Sequence, residues 1–375
     1  MNENPFIITD RISPKYFCDR QKETFELIKL LVNGNNVVMM SPRRVGKTSL
    51  IQYVFEKPEI KKNYITIYID ILSTGNLQEF TFLLGREVFS TIRGQGRKLW
   101  QSFVRIVKSL AGKISIDPLT GVPNFSLQLG DIREPEYTLK EIFQYLSESG
   151  KACILAIDEF QQISNYPEKN IEALLRSQLQ QICNCRMIYS GSERHILAEM
   201  FTSTSKPFYH SASIMELGVI EKNYYIDFII EMFGKGGKKI SGSLAERIYD
   251  IFDGITFYIQ RVCNGIYSET LPGGSADEGI LDGVVEGILA SYDLIYRLRL
   301  SQLTTRQKEL LFAISKEKTV EKITSTEFIR RHSLSSSSAV QTALNSLLNR
   351  EIIVKTERGY EVDDRFFRLW IERNF

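Results

Sequence analysis

The sequence predicts an α/β core built on a parallel sheet, followed by a helical lid and a C-terminal winged helix-turn-helix. Three observations predict it. Five apolar residues, Cys153–Ile157, run straight into two carboxylates, Asp158 and Glu159, as expected of a strand buried on both faces. A second apolar run, Asn36–Met40, enters a tight turn and leaves it through Gly46-Lys47-Thr48 into the apolar helix start Leu50, Ile51, Val54 and Phe55. Beyond about residue 220 the strand signals stop. Helical patterns then continue to a final three-helix and hairpin pattern.

Taken in order, residues 19–31 read as a helix and 36–40 as the first strand, with a helix from Lys47. Tyr64–Ile71 is β-branched and aromatic, hence a strand. One long helical stretch is expected over 77–111, and a hairpin over 113–130 around Asp117-Pro118-Leu119-Thr120-Gly121. Thr138-Leu139-Lys140-Glu141 has the spacing of a capping box ahead of the Asp158 strand. Arg186–Gly191 and Ile214–Leu217 are the remaining strands. In the lid, Ser243-Leu244-Ala245-Glu246 reads as another capping box, with breaks at Gly234–Gly237 and Pro272–Ser275. Helices over 306–315, about 326–332 and 335–350, then strands Ile352–Lys355 and Gly359–Val362, make the winged helix. The expected domains are therefore 1–220, 221–300 and 301–375.

The loop after the first strand is the chemical signature. A turn wrapped around a phosphate points backbone N–H groups inward at a helix N-terminus, where the unpaired donors and the helix dipole favour an anion. The candidate cradle is Ser41, Pro42, Arg43, Arg44, Val45, Gly46, Lys47, Thr48 and Ser49. Lys47 reaches phosphate oxygens and the Thr48 hydroxyl is suited to Mg²⁺. Ser41 stands where the usual pattern has its first glycine. Because serine tolerates positive φ poorly, the loop entrance is expected to be reshaped there. Asp158 is the expected Mg²⁺ carboxylate, directly or through water, and Glu159 the group that polarises the attacking water. Ser192, at the end of the third strand, is expected to touch the terminal phosphate or the water. Arg194 is either a charge sensor for that phosphate or a surface arginine opening a helix.

Composition narrows the class. The chain has 375 residues, 43% hydrophobic and 25% charged, with a net charge of +2. That excludes the global basic field of a dedicated nucleic-acid binder. Five cysteines and three histidines give no zinc-ligand spacing; Cys183-Asn184-Cys185 is too tight. The thiols are expected to be reduced, in a cytoplasmic setting. No signal-peptide pattern opens the chain and no apolar run reaches the ~18 residues of a membrane helix.

Pro42-Arg43-Arg44-Val45-Gly46-Lys47-Thr48, Ile157-Asp158-Glu159-Phe160-Gln161 and Pro207-Phe208-Tyr209 resemble the archaeal-type ATPases, AAA+-like P-loop proteins related to the STAND signalling ATPases and the origin-recognition ATPases. The resemblance implies ATP and ADP as ligands, a hydrolase activity, and an ATPase core with lid and winged helix. Three departures stand out. A Phe-x-Gly-Arg segment near the family's N-terminus is here Phe17-Cys18-Asp19-Arg20, which weakens a base contact. The lid's Gly-x-Pro is Gly254-Ile255-Thr256. An arginine that the family often shows after Pro-Phe-Tyr is absent here, where the chain has His210; if that arginine acts on a neighbour's nucleotide, the function is weakened in this chain. The leading expectation is an ATP-driven switch acting on a protein client or a neighbouring subunit. The alternative is a DNA-binding regulator whose conformation ATP sets. From Arg299 onward there are 14 Lys/Arg against 10 Asp/Glu, a mild positive excess. Arg330, Arg331, Lys355 and Arg358 would flank a DNA backbone, and Gln341 and Asn345 would meet bases or phosphates. A third reading, a scaffold with a relic loop, conflicts with intact Lys47, Thr48, Asp158 and Glu159.

Overall fold

The computed structural model describes residues 4–8, 14–93, 95–116, 123–182 and 184–375. By contact the chain divides into two compact units, 9–221 and a second made of 1–8 with 222–375.

The first unit contains α1 (Gln21–Val32), β1 (Val37–Met40), α2 (Lys47–Phe55), α3 (Pro58–Lys61), β2 (Tyr64–Asp70), α4 (Leu77–Arg93), α5 (Arg97–Ile106), β3 (Ile114–Ile116), β4 (Pro123–Phe125), α6 (Pro135–Glu148), β5 (Ala152–Asp158), α7 (Ile171–Gln180), β6 (Cys185–Gly191), α8 (Arg194–Thr202) and β7 (Ser213–Glu216). Five of the strands form one parallel sheet in the order β2-β5-β6-β1-β7. Successive residues alternate between its faces. Val38, Met40, Leu155, Ile157, Met187 and Tyr189 enter the core with α4 and α6, whereas Val37, Met39, Ile154, Ala156 and Ile188 enter the core with α1 and α2. β5 is an interior strand, buried from Cys153 to Asp158, and edge strand β2 alternates buried and half-buried residues before exposed Asp70.

Register brings the strand ends together. Asp70 lies opposite Asp158, and Met40 opposite both Gly191 and Glu216. The site thus sits at the carboxyl edge, where such sheets bind ligands.

Several local expectations change. The long helix over 77–111 is two helices, α4 and α5, with Gly96 at φ 115° before α5. Asp117–Gly121 and Cys183 lie outside the described residues, although β3 and β4 on either side of the former pair antiparallel. Thr138 is not a cap: α6 begins at Pro135, whose fixed φ and missing N–H suit the first turn, and Thr138 is buried within the helix. In the second unit Ser241, not Ser243, caps α10 by accepting from the Leu244 N–H.

The second unit contains α9 (Lys222–Lys235), α10 (Gly242–Ile251), α11 (Thr256–Glu269), α12 (Glu278–Ser301), α13 (Thr305–Glu317), α14 (Thr326–Arg331), α15 (Ser337–Asn349), the antiparallel hairpin β8 (Ile353–Thr356) and β9 (Gly359–Val362), and α16 (Arg365–Asn374). Residues 4–8 belong here rather than with the core. Phe6 is buried among Phe228, Phe233 and Tyr267, and its carbonyl accepts from Asn264 at 2.7 Å. The terminal helix α16 has no counterpart in the sequence expectation. Asp364 caps it, and buried Arg365 and Arg368 reach back to Asp253 at 2.8 and 3.2 Å, joining α16 to the turn after α10. No described helix is long and apolar enough to cross a membrane.

Candidate nucleotide site

The loop between β1 and α2 is shaped by two left-handed residues, Arg44 at φ 67° and Gly46 at φ 97°. Gly46 occupies the cap position of α2 and brings no side chain to satisfy the first-turn N–H groups, which leaves them to an anion. Ser41 does not adopt positive φ. It is fully buried, and its hydroxyl donates to the Pro42 carbonyl at 3.0 Å. The expected reshaping at this position is therefore not imposed by a left-handed backbone. Pro42 and Arg44 are exposed, Val45 is buried, and Arg43 and Ser49 are half-buried.

Arg20 supports the loop from below. Itself left-handed and buried, it donates to the carbonyls of Val45 at 3.2 Å and Gly218 at 2.7 Å, and pairs with Glu23 at 2.7 Å. Phe17, from the same segment, stacks on Tyr53 at a ring separation of 4.0 Å.

Lys47 opens α2 with only 7% of its surface exposed. Among the described residues its ammonium makes no hydrogen bond and no ion pair within 4 Å. Burial holds its pKa below the ordinary 10.5. Asp158 and Glu159 pull the other way, and Arg43 adds to the lowering. A desolvated cation without a bonded acceptor is costly, and an incoming anion removes that cost.

Asp158 is the hub of the site. Its Oδ2 accepts from Thr48 Oγ1 at 2.8 Å and Tyr68 Oη at 2.7 Å, while Oδ1 accepts from Ser190 Oγ at 2.7 Å and the Glu159 N–H at 3.1 Å. Burial, then the Asp158 charge, pushes the Tyr68 phenol well above its usual value. At the end of β2, burial likewise raises Asp70 above the ordinary carboxylate value; the Leu72 N–H opposes this, and Asp158 and Glu159 add to it. Thr48 and Asp158 offer an oxygen-only pair, the donor chemistry a hard divalent cation takes, so the residues present fit Mg²⁺.

Glu159 turns out of β5 with φ 55°. Its Oε2 accepts from Gln161 Nε2 at 2.6 Å and from Ser192 through both N–H (3.0 Å) and Oγ (2.8 Å). Arg43 Nε in turn donates to Ser192 Oγ at 3.2 Å. Thr48, Asp158, Glu159, Ser192 and Arg43 thus form one hydrogen-bonded set, and Lys47 lies within the electrostatic reach of Asp158, Glu159 and Arg43 without a bond to any of them. Arg194 opens α8, partly exposed, and reaches Glu216 at 3.9 Å, a surface contact of little energetic weight. Of the Pro207–His210 segment, Phe208 is a core ring packed against Phe160, Tyr189 and Phe201. His210 is left-handed and its N–H bonds the Phe201 carbonyl.

Sequence reasoning missed Tyr68, Ser190 and the loop support from Arg20. Tyr68 had a usable signal. It shares a strand face with Asp70, and register sets that residue beside Asp158.

Residues 17–262 match the family described as an ATPase domain predominantly from Archaea, and 294–373 match a probable winged helix domain. An uncharacterized ATP-binding protein of Methanocaldococcus jannaschii is 28% identical over 160 residues, 40% of this chain and 44% of that protein. The chain thus spans less than half the length of that relative. Among solved structures, a Walker-type ATPase of Pyrococcus abyssi aligns with a TM-score of 0.67 at 19% identity, over 98% of this chain and 99% of its own. The ORC2 protein of Aeropyrum pernix aligns with a TM-score of 0.60 at 13% identity, over 94% of this chain and 93% of its own. At these identities the two structures establish the fold: a parallel-sheet P-loop ATPase core followed by a winged helix domain.

Proposed function

The chain belongs to the family of ATPase domains found predominantly in Archaea, and from that premise we propose that it binds ATP with Mg²⁺, hydrolyses it, and uses the change from ATP to ADP as a switch. The observation that carries this reading is Lys47, a buried cation without a bonded acceptor at the first turn of a helix whose cap is glycine. Residues 41–49 cradle the phosphates, and Lys47 donates to their oxygens. Thr48 and Asp158 hold Mg²⁺, which when bound neutralises phosphate charge. Glu159 orients and deprotonates the attacking water, and Ser192 touches the water or the terminal phosphate. Arg194 is either the charge sensor for that phosphate or a surface arginine opening α8, and its exposed contact with Glu216 favours the second. The AAA+ and STAND relationship and a cytoplasmic setting belong to the same reading, and the buried thiols Cys153, Cys185 and Cys263 agree with a reducing compartment.

The domain reading 221–300 lid and 301–375 winged helix supplies the moving parts, acting on a protein client or a neighbouring subunit. Glu159→Gln tests the enzymatic half. The variant is expected to bind ATP with wild-type affinity while phosphate release falls at least ~100-fold, the usual scale of a lost general base. Unchanged phosphate release would refute the assignment. The switch half is tested by hydrodynamic size and protease protection with ADP against a non-hydrolysable ATP analogue; identical results in both states refute it.

A second reading, DNA recognition with ATP setting conformation, draws on exposed Arg330 in α14 and exposed Lys355 and Arg358 in the hairpin. Against it, Arg331 is engaged with Glu317 and Glu327, and the exposed face of α15 (Ser337, Ser338, Gln341, Thr342, Asn345) carries no charge. Duplex binding that weakens steeply with salt would support it, and no binding at low salt would remove it.

A further inference from the structure

Gln161 lies in the 3₁₀ turn Phe160–Asn165 that follows Glu159, with only 2% of its surface exposed. Its Nε2 donates to Glu159 Oε2 at 2.6 Å. That oxygen also takes both donors of Ser192, so three donors converge on one carboxylate oxygen. Glu159 Oε1 accepts no hydrogen bond among the described residues. The orientation of the amide follows from chemistry. A carboxylate is an acceptor only, so the NH₂ end must face it. The other end, Gln161 Oε1, is then turned inward, where it is buried without a partner. It lies against Gly191, the last residue of β6, and a Cβ built there would stand 2.0 Å from it. Gly191 does not have positive φ, so its backbone conformation gives no reason for glycine; the space taken by the Gln161 amide does.

An orphaned buried acceptor costs stability, and most folds avoid it. Here it accompanies a donor fixed on the one carboxylate placed to act on water. We propose that Gln161 is a positioning residue for Glu159. With Ser192 it ties down Oε2, so that Oε1 is presented as the free acceptor, and Gly191 is the vacancy that admits its amide. The inference rests on the role of Glu159 proposed above. In this inference Gln161 acts through the carboxylate and not on the nucleotide itself.

The test measures steady-state ATP hydrolysis and ADP affinity in the full chain carrying Gln161→Leu, Gln161→Ala, Gly191→Ala, or Gln161→Ala with Gly191→Ala. Near-isosteric Gln161→Leu is expected to lower kcat about 10- to 100-fold, the scale on which misplaced catalytic groups lose rate, with KM and ADP affinity within about twofold. Gly191→Ala should reproduce that split by displacing the amide. In the double variant the alanine at 161 leaves the space open. The Gly191 change should then add no further loss to Gln161→Ala, the non-additivity expected of two residues acting through one contact. Retained ADP affinity shows that each variant is folded. Wild-type kcat in Gln161→Leu overturns the inference. Faster turnover also overturns it, because Gln161 would then be restraining Glu159. Independent, additive losses in the double variant overturn the part assigned to Gly191. Glu159→Gln run alongside separates the two levels. If it turns over at the wild-type rate, the Glu159 assignment fails and this inference with it. If it is inactive while Gln161→Leu keeps full kcat, only this inference fails.

Discussion

Replacing Lys47 by methionine should make the nucleotide-free protein more stable while removing its ligand. Lys47 is 7% exposed and its ammonium lacks a bonded acceptor among the described residues. Methionine keeps the length and apolar volume of the stem and discards the desolvated charge. Replacing buried ions with apolar side chains is neutral to stabilising by up to about 4 kcal/mol. Asp158 and Glu159 favour the cation from nearby, which offsets part of that gain. Asp158 needs little of this help, since four donors already serve it. A net gain of about 1 kcal/mol is expected, or a rise of about 2–4 °C in the melting temperature of a unit this size. The pH dependence has a definite sign. The folded pKa of Lys47 lies below its unfolded value, so between the two the unfolded chain binds more protons and stability rises with pH. The charge penalty is fully present below the folded pKa and is gone above the unfolded value of 10.5. That alkaline rise should be missing from Lys47→Met. Calorimetric melting from pH 7 to 10.5 measures both effects. ATP titration should show at least ~100-fold weaker binding, about 3 kcal/mol, consistent with a lost charge-assisted bond to phosphate. A less stable apo variant, or ATP affinity left intact, refutes the reasoning.

Three further outcomes follow from the same structure. Ser41→Gly should lower stability by about 1–2 kcal/mol, through a lost buried hydroxyl bond and added backbone entropy, without raising ATP affinity, because Ser41 needs no left-handed backbone; urea unfolding and ATP titration measure it. Tyr68→Phe removes one of four donors to Asp158 and should cost about 1–2 kcal/mol in urea unfolding, with the Mg²⁺ dependence of ATP binding altered more than in any distant control. Asp253→Asn keeps the shape and the tolerance of φ 53° but removes the charge shared by Arg365 and Arg368. Because Glu361 and Glu372 still face those arginines, the loss should be about 2 kcal/mol in thermal unfolding, below the full cost of stranding a buried charge; a change under ~0.5 kcal/mol would show that the cluster is energetically idle.

Much of the site was legible because its signals are local. Gly46-Lys47-Thr48 is contiguous and follows an apolar strand, and Asp158-Glu159 ends a strand whose burial is written in its composition. The failures are equally physical. The split of α4 from α5 turned on Gly96 inside an otherwise helical pattern, and the caps at Thr138 and Ser243 were displaced by neighbours, Pro135 and Ser241, that serve helix starts as well or better. The helix α16 follows a hairpin pattern that already satisfied the winged-helix expectation, so nothing local demanded it.

The sequence alone determined the chemistry that lies along a single stretch of chain: a phosphate-cradling turn, a lysine and a threonine at a helix start, and two carboxylates at a strand end. Periodicity and turn residues carry that information over a few residues. Only the tertiary structure decided which distant groups share those carboxylates. Parallel register sets β2 beside β5 and so gives Asp158 the Tyr68 hydroxyl. The adjacency of β5 and β6 gives Asp158 the Ser190 hydroxyl and Glu159 both donors of Ser192. The packing of one glycine against one glutamine amide decides how Glu159 is held. Such pairings join residues tens of positions apart, and sheet order and side-chain packing create them.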